Sequence, residues 1–230
     1  SLTGADAGNH TLLAPAGLSA DITPAPLAVT GLSALSRPYD RSTVAPLAGT
    51  AAVAPLPGDS VTLAGTAVGR FDTAAAGTGK AVTVGGLSLA GADAGNYTLR
   101  APTGLSADVT PLLLSLAGAA AASRTYDAGT AVAVSGSLVG VLAGDAVGVS
   151  LSGSLPDANV GSARPVAVAG TLTGADAANY SLSLPLGLVA DIAPATLRYV
   201  AAPAFGTAGQ PLPALTGTVS GFLGADTLAS

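Results

Sequence analysis

The chain of 230 residues carries a net charge of −5 at pH 7, and only 9% of its residues are charged, against about 25% in typical globular proteins. Cysteine is absent, which excludes disulfides, thiol catalysis and cysteine-ligated metal, and the lack of a basic patch argues against nucleic acid as a partner. All 13 acidic residues are aspartate, which suits turns and caps better than helix interiors, so the composition indicates an all-β protein.

One stretch of sequence occurs three times and sets the organisation of the chain. It reads GADAGNHTLLAPAGLSADITP at residues 4–24, GADAGNYTLRAPTGLSADVTP at residues 91–111 and GADAANYSLSLPLGLVADIAP at residues 174–194. Its period of about 85 residues is that of a whole small domain and is too long for one turn of a solenoid. The sequence therefore predicts a tandem array of domains, cut at both ends.

The boundaries within this array follow from the repeat and from proline, which stops strand pairing. Each repeat ends in an Asp-x-x-Pro step, at Pro24, Pro111 and Pro194. We predict a C-terminal fragment of a repeat at residues 1–24, complete repeats at residues 25–111 and 112–194, and the opening of a distinct domain at residues 195–230. The two complete repeats are called the first repeat and the second repeat below.

The first repeat contains six candidate strands, which alternate apolar with small polar residues and are separated by Gly, Pro or Asp turns. These strands are residues 27–32, 51–54, 60–64, 81–89, 97–100 and 105–109. Their spacing predicts tandem small immunoglobulin-like β-sandwich domains arranged end to end. The parity of the apolar residues reverses between Val84 and Leu87, which indicates a β-bulge at Gly85-Gly86.

A candidate structural motif lies inside the repeated stretch. Its residues are Asp93, Gly95 and Tyr97 in the first repeat and Asp176 and Tyr180 in the second. The spacing is that of the tyrosine corner of immunoglobulin-like sandwiches, in which the tyrosine hydroxyl bonds to upstream backbone. We predict buried rings with satisfied hydroxyls. The alternative is a tyrosine that stacks on a sugar.

Further Tyr and Asp residues recur at matching places in the two repeats. They are Tyr39-Asp40 and Tyr126-Asp127, followed by Asp59 and Asp145, each after a glycine. We expect these tyrosines to pack on the core, the paired aspartates to cap turns by accepting backbone N–H bonds, and Asp59 and Asp145 to lie at hairpin turns. Ligand-facing residues are the alternative. Calcium needs six to eight oxygens, and no Asp-x-Asp-x-Asp loop is present to supply them.

Catalysis is not expected from this sequence. His10 is the only histidine, and both complete repeats lack the histidine or cysteine that would form a nucleophile with its base. We therefore predict no catalytic, cofactor-binding or metal-binding residue and no enzyme activity. The most apolar run, residues 112–122, is shorter than the roughly 20 residues of a membrane helix, so no membrane span is predicted.

Four motifs follow one another in a fixed order in the first repeat. They are Tyr-Asp-x-x-Thr at residues 39–43, Gly-Asp-x-Val-x-Leu at 58–63, Gly-x-Gly-Lys-x-Val at 77–82, and Gly-Ala-Asp through Asp-x-x-Pro at 91–111. This order resembles the YDG-type repeats of large bacterial surface proteins, which look like filamentous-haemagglutinin-type and autotransporter adhesins. The second repeat departs from it at residues 128–130 and 147–149. Residues 213–222 and Phe205-Gly206 resemble the MBG domains that often accompany such repeats.

The resemblance implies export across the outer membrane of a Gram-negative bacterium and display on the cell surface. It implies no catalytic residue. Two functions remain open: a stalk, whose partners are the neighbouring repeats of the same chain, or a set of modules that each bind a host glycan or matrix protein with avidity from repetition. Because aromatic residues make up only 3% of the chain and are needed in the cores, the sequence favours the stalk.

Overall fold

The computed structural model of the protein describes residues 1–228, and its regular structure is almost entirely β. These residues contain twenty strands and three 3₁₀ helices of a single turn. The all-β prediction is confirmed. Within the same range, none of the helices has the length and apolar character that crossing a membrane requires.

The first repeat forms nine strands in three sheets. The strands are β1 (Ala25–Ala28), β2 (Thr30–Ala34), β3 (Arg37–Pro38), β4 (Val44–Ala45), β5 (Leu47–Ala52), β6 (Thr62–Phe71), β7 (Gly77–Ala90), β8 (Tyr97–Arg100) and β9 (Ser106–Thr110). Strand β1 pairs in parallel with β8, and β2 pairs antiparallel with β5. The remaining strands form a five-stranded sheet in the order β3-β9-β7-β6-β4.

The second repeat forms nine strands with the same topology. They are β10 (Leu112–Ala121), β11 (Arg124–Thr125), β12 (Ala131–Val132), β13 (Val134–Val139), β14 (Gly148–Ser154), β15 (Gly161–Pro165), β16 (Ala167–Thr173), β17 (Tyr180–Leu182) and β18 (Val189–Ala193). The sheet orders are β13-β10-β17, β11-β18-β15 and β12-β14-β16. Strand β10 replaces both β1 and β2, because it pairs with β17 and with β13. Strands β15 and β16 together correspond to β7, and the break between them falls at Val166.

Strand β7 contains the irregularity that the sequence predicts at Gly85-Gly86. Val82 and Val84 are buried, the two glycines are exposed, and inward positions resume at Leu87 and Leu89. Gly86 has a φ of +81°, a conformation that favours glycine. In the second repeat, β16 alternates without interruption. The extra residue in β7 therefore lets both halves of the strand face the core.

The chain divides into two compact units, each with its own core. The first unit consists of residues 1–35, 44–70 and 81–105, and the second of residues 36–43, 71–80 and those from 106 onwards. Buried residues of the first core are Leu27, Val61 and Tyr97, and those of the second are Val132, Leu155, Val166, Ala190 and Ile192. Because residues 36–43 and 71–80 come from the first repeat, the second unit contains contacts between the two repeats.

The segments outside the two repeats have little regular structure in the part of the chain that is described. Residues 1–24 contain one 3₁₀ helix, Ala7–Asn9, and are almost all exposed. After Pro194, strands β19 (Arg198–Ala201) and β20 (Gly217–Ser220) pair antiparallel. The assignment of these segments to incomplete domains stays a prediction.

Candidate functional site

The tyrosine of the repeated motif bonds to a loop that lies well before it in the chain. Tyr97 is only 9% exposed, and its hydroxyl accepts the Leu56 N–H at 3.0 Å and donates to Asp59 Oδ2 at 2.5 Å. The bond to Asp59 is the chief reason why the pKa of Tyr97 is raised. The backbone contact is that of a tyrosine corner, but it reaches a residue 41 positions upstream. In the corner of immunoglobulin-like sandwiches, the hydroxyl reaches backbone only a few residues upstream.

The second repeat builds the same corner from matching residues. Tyr180 is 6% exposed, and its hydroxyl accepts the Leu142 N–H at 3.1 Å and donates to Asp145 Oδ2 at 2.5 Å. The prediction of hairpin turns at Asp59 and Asp145 is wrong. The strands that flank these residues pair with different partners, so each aspartate lies in a loop that links two sheets.

The Gly-Ala-Asp turn of the first repeat holds the loop of Asp59 at its C-terminal side. Asp93 Oδ2 accepts the Ser60 N–H at 2.8 Å, while the Asp93 N–H donates to the Ser60 carbonyl at 3.3 Å. Gly91 has a φ of +116°, and a side chain there would collide with the Ser60 carbonyl. The turn of Asp176 against Ala146 repeats both bonds. Gly95 has no such role, because an added Cβ would meet nothing within 4 Å.

The Tyr-Asp pairs form tight turns stabilised by an arginine two residues before the tyrosine. Asp40 Oδ1 accepts the Ser42 N–H at 2.8 Å and also a bond from Arg37. In the second repeat, Asp127 Oδ1 accepts the Gly129 N–H at 2.8 Å and a bond from Arg124. The main-chain bond from Gly129 is the chief reason why the pKa of Asp127 is lowered. These aspartates thus accept backbone N–H bonds in turns, as the sequence predicts.

The residue that follows each Tyr-Asp pair has a left-handed backbone. The φ of Arg41 is 67° and that of Ala128 is 63°. This region costs an L-residue about 1–2 kcal/mol, so it favours glycine. At Arg41 the side chain makes contacts that offset part of this cost.

Those contacts join the first repeat to the second at Asp145. The Tyr39 hydroxyl donates to Asp145 Oδ2 at 3.0 Å, and Arg41 Nε lies 3.0 Å from Asp145 Oδ1. Arg41 also donates to the Ala143 carbonyl. The ring of Tyr39 meets that of Tyr180 edge to face, with centroids 5.5 Å apart and planes at 76°. The Asp145 side chain is 4% exposed, so these partners replace the water that a buried carboxylate needs.

Two more hydrogen bonds extend the same arrangement. The Asn179 side-chain oxygen accepts the Ala76 N–H at 2.9 Å, which adds a second contact between the repeats. Beyond the second repeat, the Tyr126 hydroxyl donates to Asp226 Oδ2 at 2.9 Å. The tyrosine hydroxyl of each Tyr-Asp pair therefore donates a hydrogen bond to an aspartate of the following segment.

The tyrosines that reach these aspartates hold their protons more tightly than free tyrosine. Burial, and then the hydrogen bond to Asp145, raises the pKa of Tyr39 from 10.0 to about 12. The same two causes raise the pKa of Tyr180. The bond to Asp226 is the main cause of the raised pKa of Tyr126. In each case a phenolate would face a carboxylate, so the protonated hydroxyl is the form that the fold binds.

Two stretches of the chain, residues 23–104 and 110–185, match the family model described as YDG domain, and together they span more than half of the chain. The chain belongs to the YDG domain family. It has no significant match among curated proteins or among solved structures. The matched stretches contain both tyrosine corners and both Tyr-Asp pairs, so this geometry belongs to the YDG repeats.

The chemistry of the two YDG repeats is that of hydrogen bonding and charge pairing. Within residues 1–228, no three His, Cys, Asp or Glu side chains come together in the way that a metal ion requires. Asp59 and Asp145 face tyrosine hydroxyls, and Asp93 and Asp176 accept backbone N–H bonds. The candidate site is therefore a set of corners and one junction between repeats.

Several residues of the turns, the corners and the junction escape prediction from the sequence. Arg37 and Arg124 recur two residues before each tyrosine, and Asn96 and Asn179 recur one residue before the corner tyrosine. A comparison of the YDG repeats with each other would have drawn attention to these four positions. Arg41 would not have been found in this way, because Ala128 takes its place in the second repeat.

Proposed function

We propose that the two YDG repeats are non-catalytic spacer domains of a large exported bacterial surface adhesin. Membership of the YDG family supports the repeat assignment. The adhesin context rests on the resemblance of the ordered motifs to filamentous-haemagglutinin-type and autotransporter proteins. The resemblance of residues 213–222 to MBG domains is a second reason for it, because the two domain types accompany each other.

The observation that carries this proposal is the use of the aromatic side chains inside the repeats. Tyr39, Phe71, Tyr97 and Tyr180 are at most 9% exposed, and Tyr126 is partly buried. A site that binds sugar by stacking needs an exposed ring. These five residues are all the aromatic residues of the two repeats, so neither repeat offers an exposed ring for this purpose.

The junction chemistry favours a spacer for a second reason. Tyr39 and Arg41 of the first repeat bond to the buried carboxylate of Asp145 in the second, and Pro111 is followed at once by strand β10. A connection with side-chain bonds and no linker residues leaves little slack between the repeats. Such a connection suits a protein that must hold a distal region away from the cell surface of a Gram-negative bacterium.

Small-angle scattering on the whole chain tests the spacer. A compact globule of this length would have a radius of gyration of about 17 Å. We expect a clearly larger value, because a spacer must extend its domains along one direction. A value near 17 Å would contradict the spacer function.

A binding screen against glycans and extracellular-matrix proteins separates the spacer from the alternative of a binding module. We expect no specific binding by the whole chain at micromolar concentration. Saturable binding that a Tyr126→Ala variant lost, while a Tyr199→Ala variant kept it, would assign a ligand to the repeat and favour the module. Tyr199 serves as the matched control because it is 60% exposed and lies outside both repeats.

A further inference from the structure

The contact between the repeats involves two surfaces that can be described separately. The tyrosine end of the first repeat consists of Tyr39, Arg41 and the backbone N–H of Ala76. The acceptor face of the second repeat consists of Asp145, Asn179 and the adjacent loop. The tyrosine end supplies hydrogen-bond donors and a positive charge, and the acceptor face supplies oxygen acceptors and a negative charge. The two surfaces are thus complementary in both respects.

The first repeat carries an acceptor face of its own. Asp59 and Asn96 stand where the second repeat has Asp145 and Asn179, and Asp59 is oriented by the same bond from its corner tyrosine. The loops match as well, because the Asp59 N–H bonds to the Leu56 carbonyl at 3.1 Å and the Asp145 N–H bonds to the Leu142 carbonyl at 3.1 Å. The acceptor face is therefore preformed by each repeat and does not depend on its neighbour.

The two acceptor faces differ in how far they are covered. Leu56 is 65% exposed, whereas its counterpart Leu142 is partly buried. Asn96 is exposed, whereas Asn179, which contacts the first repeat, is partly buried. The first repeat thus presents to solvent the positions that are sheltered in the second repeat.

We propose that the acceptor face of the first repeat, around Asp59 and Asn96, binds the tyrosine end of a further YDG repeat. Asp145 demonstrates the required chemistry, since one carboxylate accepts its own corner tyrosine and the incoming tyrosine together. The occupant is a repeat that precedes Ala25 along a chain, because residues 4–24 carry the closing motif of a repeat directly before Ala25 in the sequence. This inference rests on the YDG geometry and is independent of the spacer function.

The contact between Tyr126 and Asp226 indicates that the tyrosine of a Tyr-Asp pair bonds to aspartates other than Asp145. Asp226 belongs to a segment outside the two repeats, yet its N–H bonds to the Leu223 carbonyl at 3.2 Å, as in the loops of Asp59 and Asp145. The hydroxyls of Tyr39 and Tyr126 thus each bond to an aspartate of this loop type, in two different sequence settings. The tyrosine end of a preceding repeat supplies the same hydroxyl donor to Asp59.

Thiol labelling tests the proposal, because the natural chain has no cysteine. The Leu56→Cys and Leu142→Cys variants of the whole chain are compared with a longer chain in which a copy of residues 25–111 replaces residues 1–24. In the whole chain we expect Leu56→Cys to react with a maleimide several-fold faster than Leu142→Cys. In the longer chain, Leu56→Cys should slow to the rate of Leu142→Cys. An unchanged rate at Leu56→Cys would overturn the proposal.

Two control variants keep the outcome specific. Thr103→Cys, at an exposed position in the same repeat, should react equally fast in the two chains, and a slower rate there would mean non-specific shielding and count against the proposal. In the longer chain, Tyr39→Phe in the added repeat should restore the labelling of Leu56→Cys about fivefold, because one hydrogen bond is lost. Protection that persists in this variant would show that the tyrosine is not the binding group and would overturn the proposal.

Discussion

Removal of the Tyr39 hydroxyl is the most direct probe of the junction at Asp145. A Tyr39→Phe variant keeps the edge-to-face ring contact with Tyr180 and loses only the 3.0 Å bond to Asp145 Oδ2. A hydrogen bond to a charged group contributes about 1.5–3 kcal/mol. Asp145 keeps the Tyr180 hydroxyl and the Arg41 guanidinium, so its charge is not left unpaired. We therefore expect a loss at the lower end of that range, about 1.5 kcal/mol in the free energy of unfolding.

Urea denaturation of the whole chain, followed by far-ultraviolet circular dichroism, measures this loss. The matched control is Tyr126→Phe, which removes a bond of similar length, 2.9 Å, to Asp226. That bond is exposed, and water replaces it readily, so we expect a cost of about 0.5 kcal/mol or less. A Tyr39→Phe variant with the stability of the natural chain, or one less affected than Tyr126→Phe, would refute the role of the buried carboxylate.

Four further variants and a rise in pH test the other contacts of the repeats by denaturation. Tyr97→Phe should cost roughly 1–3 kcal/mol and Tyr97→Ala roughly 3–5, since the second also removes a buried ring; equal, near-zero effects would mean that the ring is exposed. Ala128→Gly should stabilise the chain by about 0.5–1 kcal/mol, because glycine adopts the left-handed conformation without strain. Arg41→Gly should give no comparable gain, because it also removes the ion pair with the second repeat. Equal gains in the two variants would contradict a stabilising role for that ion pair. Above pH 10.0 the free energy of unfolding should fall, because the pKa of Tyr39 is raised from 10.0 to about 12 in the folded chain. The stability that the protonated Tyr39 hydroxyl contributes is complete below pH 10.0 and is lost as the pH approaches 12. In Tyr39→Phe this part of the alkaline loss should be absent, and an identical pH profile would count against the assignment.

Much of the strand pattern could be predicted because it depends on local chemistry. Alternation of apolar residues located β7 and β8 to within a few residues, and the reversed parity at Gly85-Gly86 located the bulge. The prediction for β6 stopped at residue 64, but the strand continues to Phe71. Gly65 and Gly69 weaken the strand signal there, and neighbouring strands supply the stability that the local sequence lacks. The two-residue strands β3 and β4 have too few residues for any periodicity.

The hydrogen bonds of the candidate site likewise differ in whether their partners are close together or far apart in the sequence. Turn bonds such as those of Asp40 and Asp127 span two residues, so the residue types alone predict them. The bond from Tyr39 to Asp145 spans 106 residues. No periodicity or spacing encodes such a pairing, because it depends on how one folded repeat meets the next. The sequence therefore indicated that both residues were structural but not that they contact each other.

The double use of Asp145 makes the second repeat sensitive to the state of the first. Its carboxylate holds the corner that closes its own repeat and, at the same time, the tyrosine of the preceding one. Loosening the corner withdraws the acceptor from the neighbour, and loss of the neighbour exposes the Asp145 carboxylate to water. In a nearest-neighbour description of a repeat array, such sharing increases the coupling energy between adjacent repeats. Each repeat then unfolds less independently of its neighbour. Unfolding under a pulling force would then advance in blocks of adjacent repeats, so the array would yield in fewer and larger steps than its repeat number suggests.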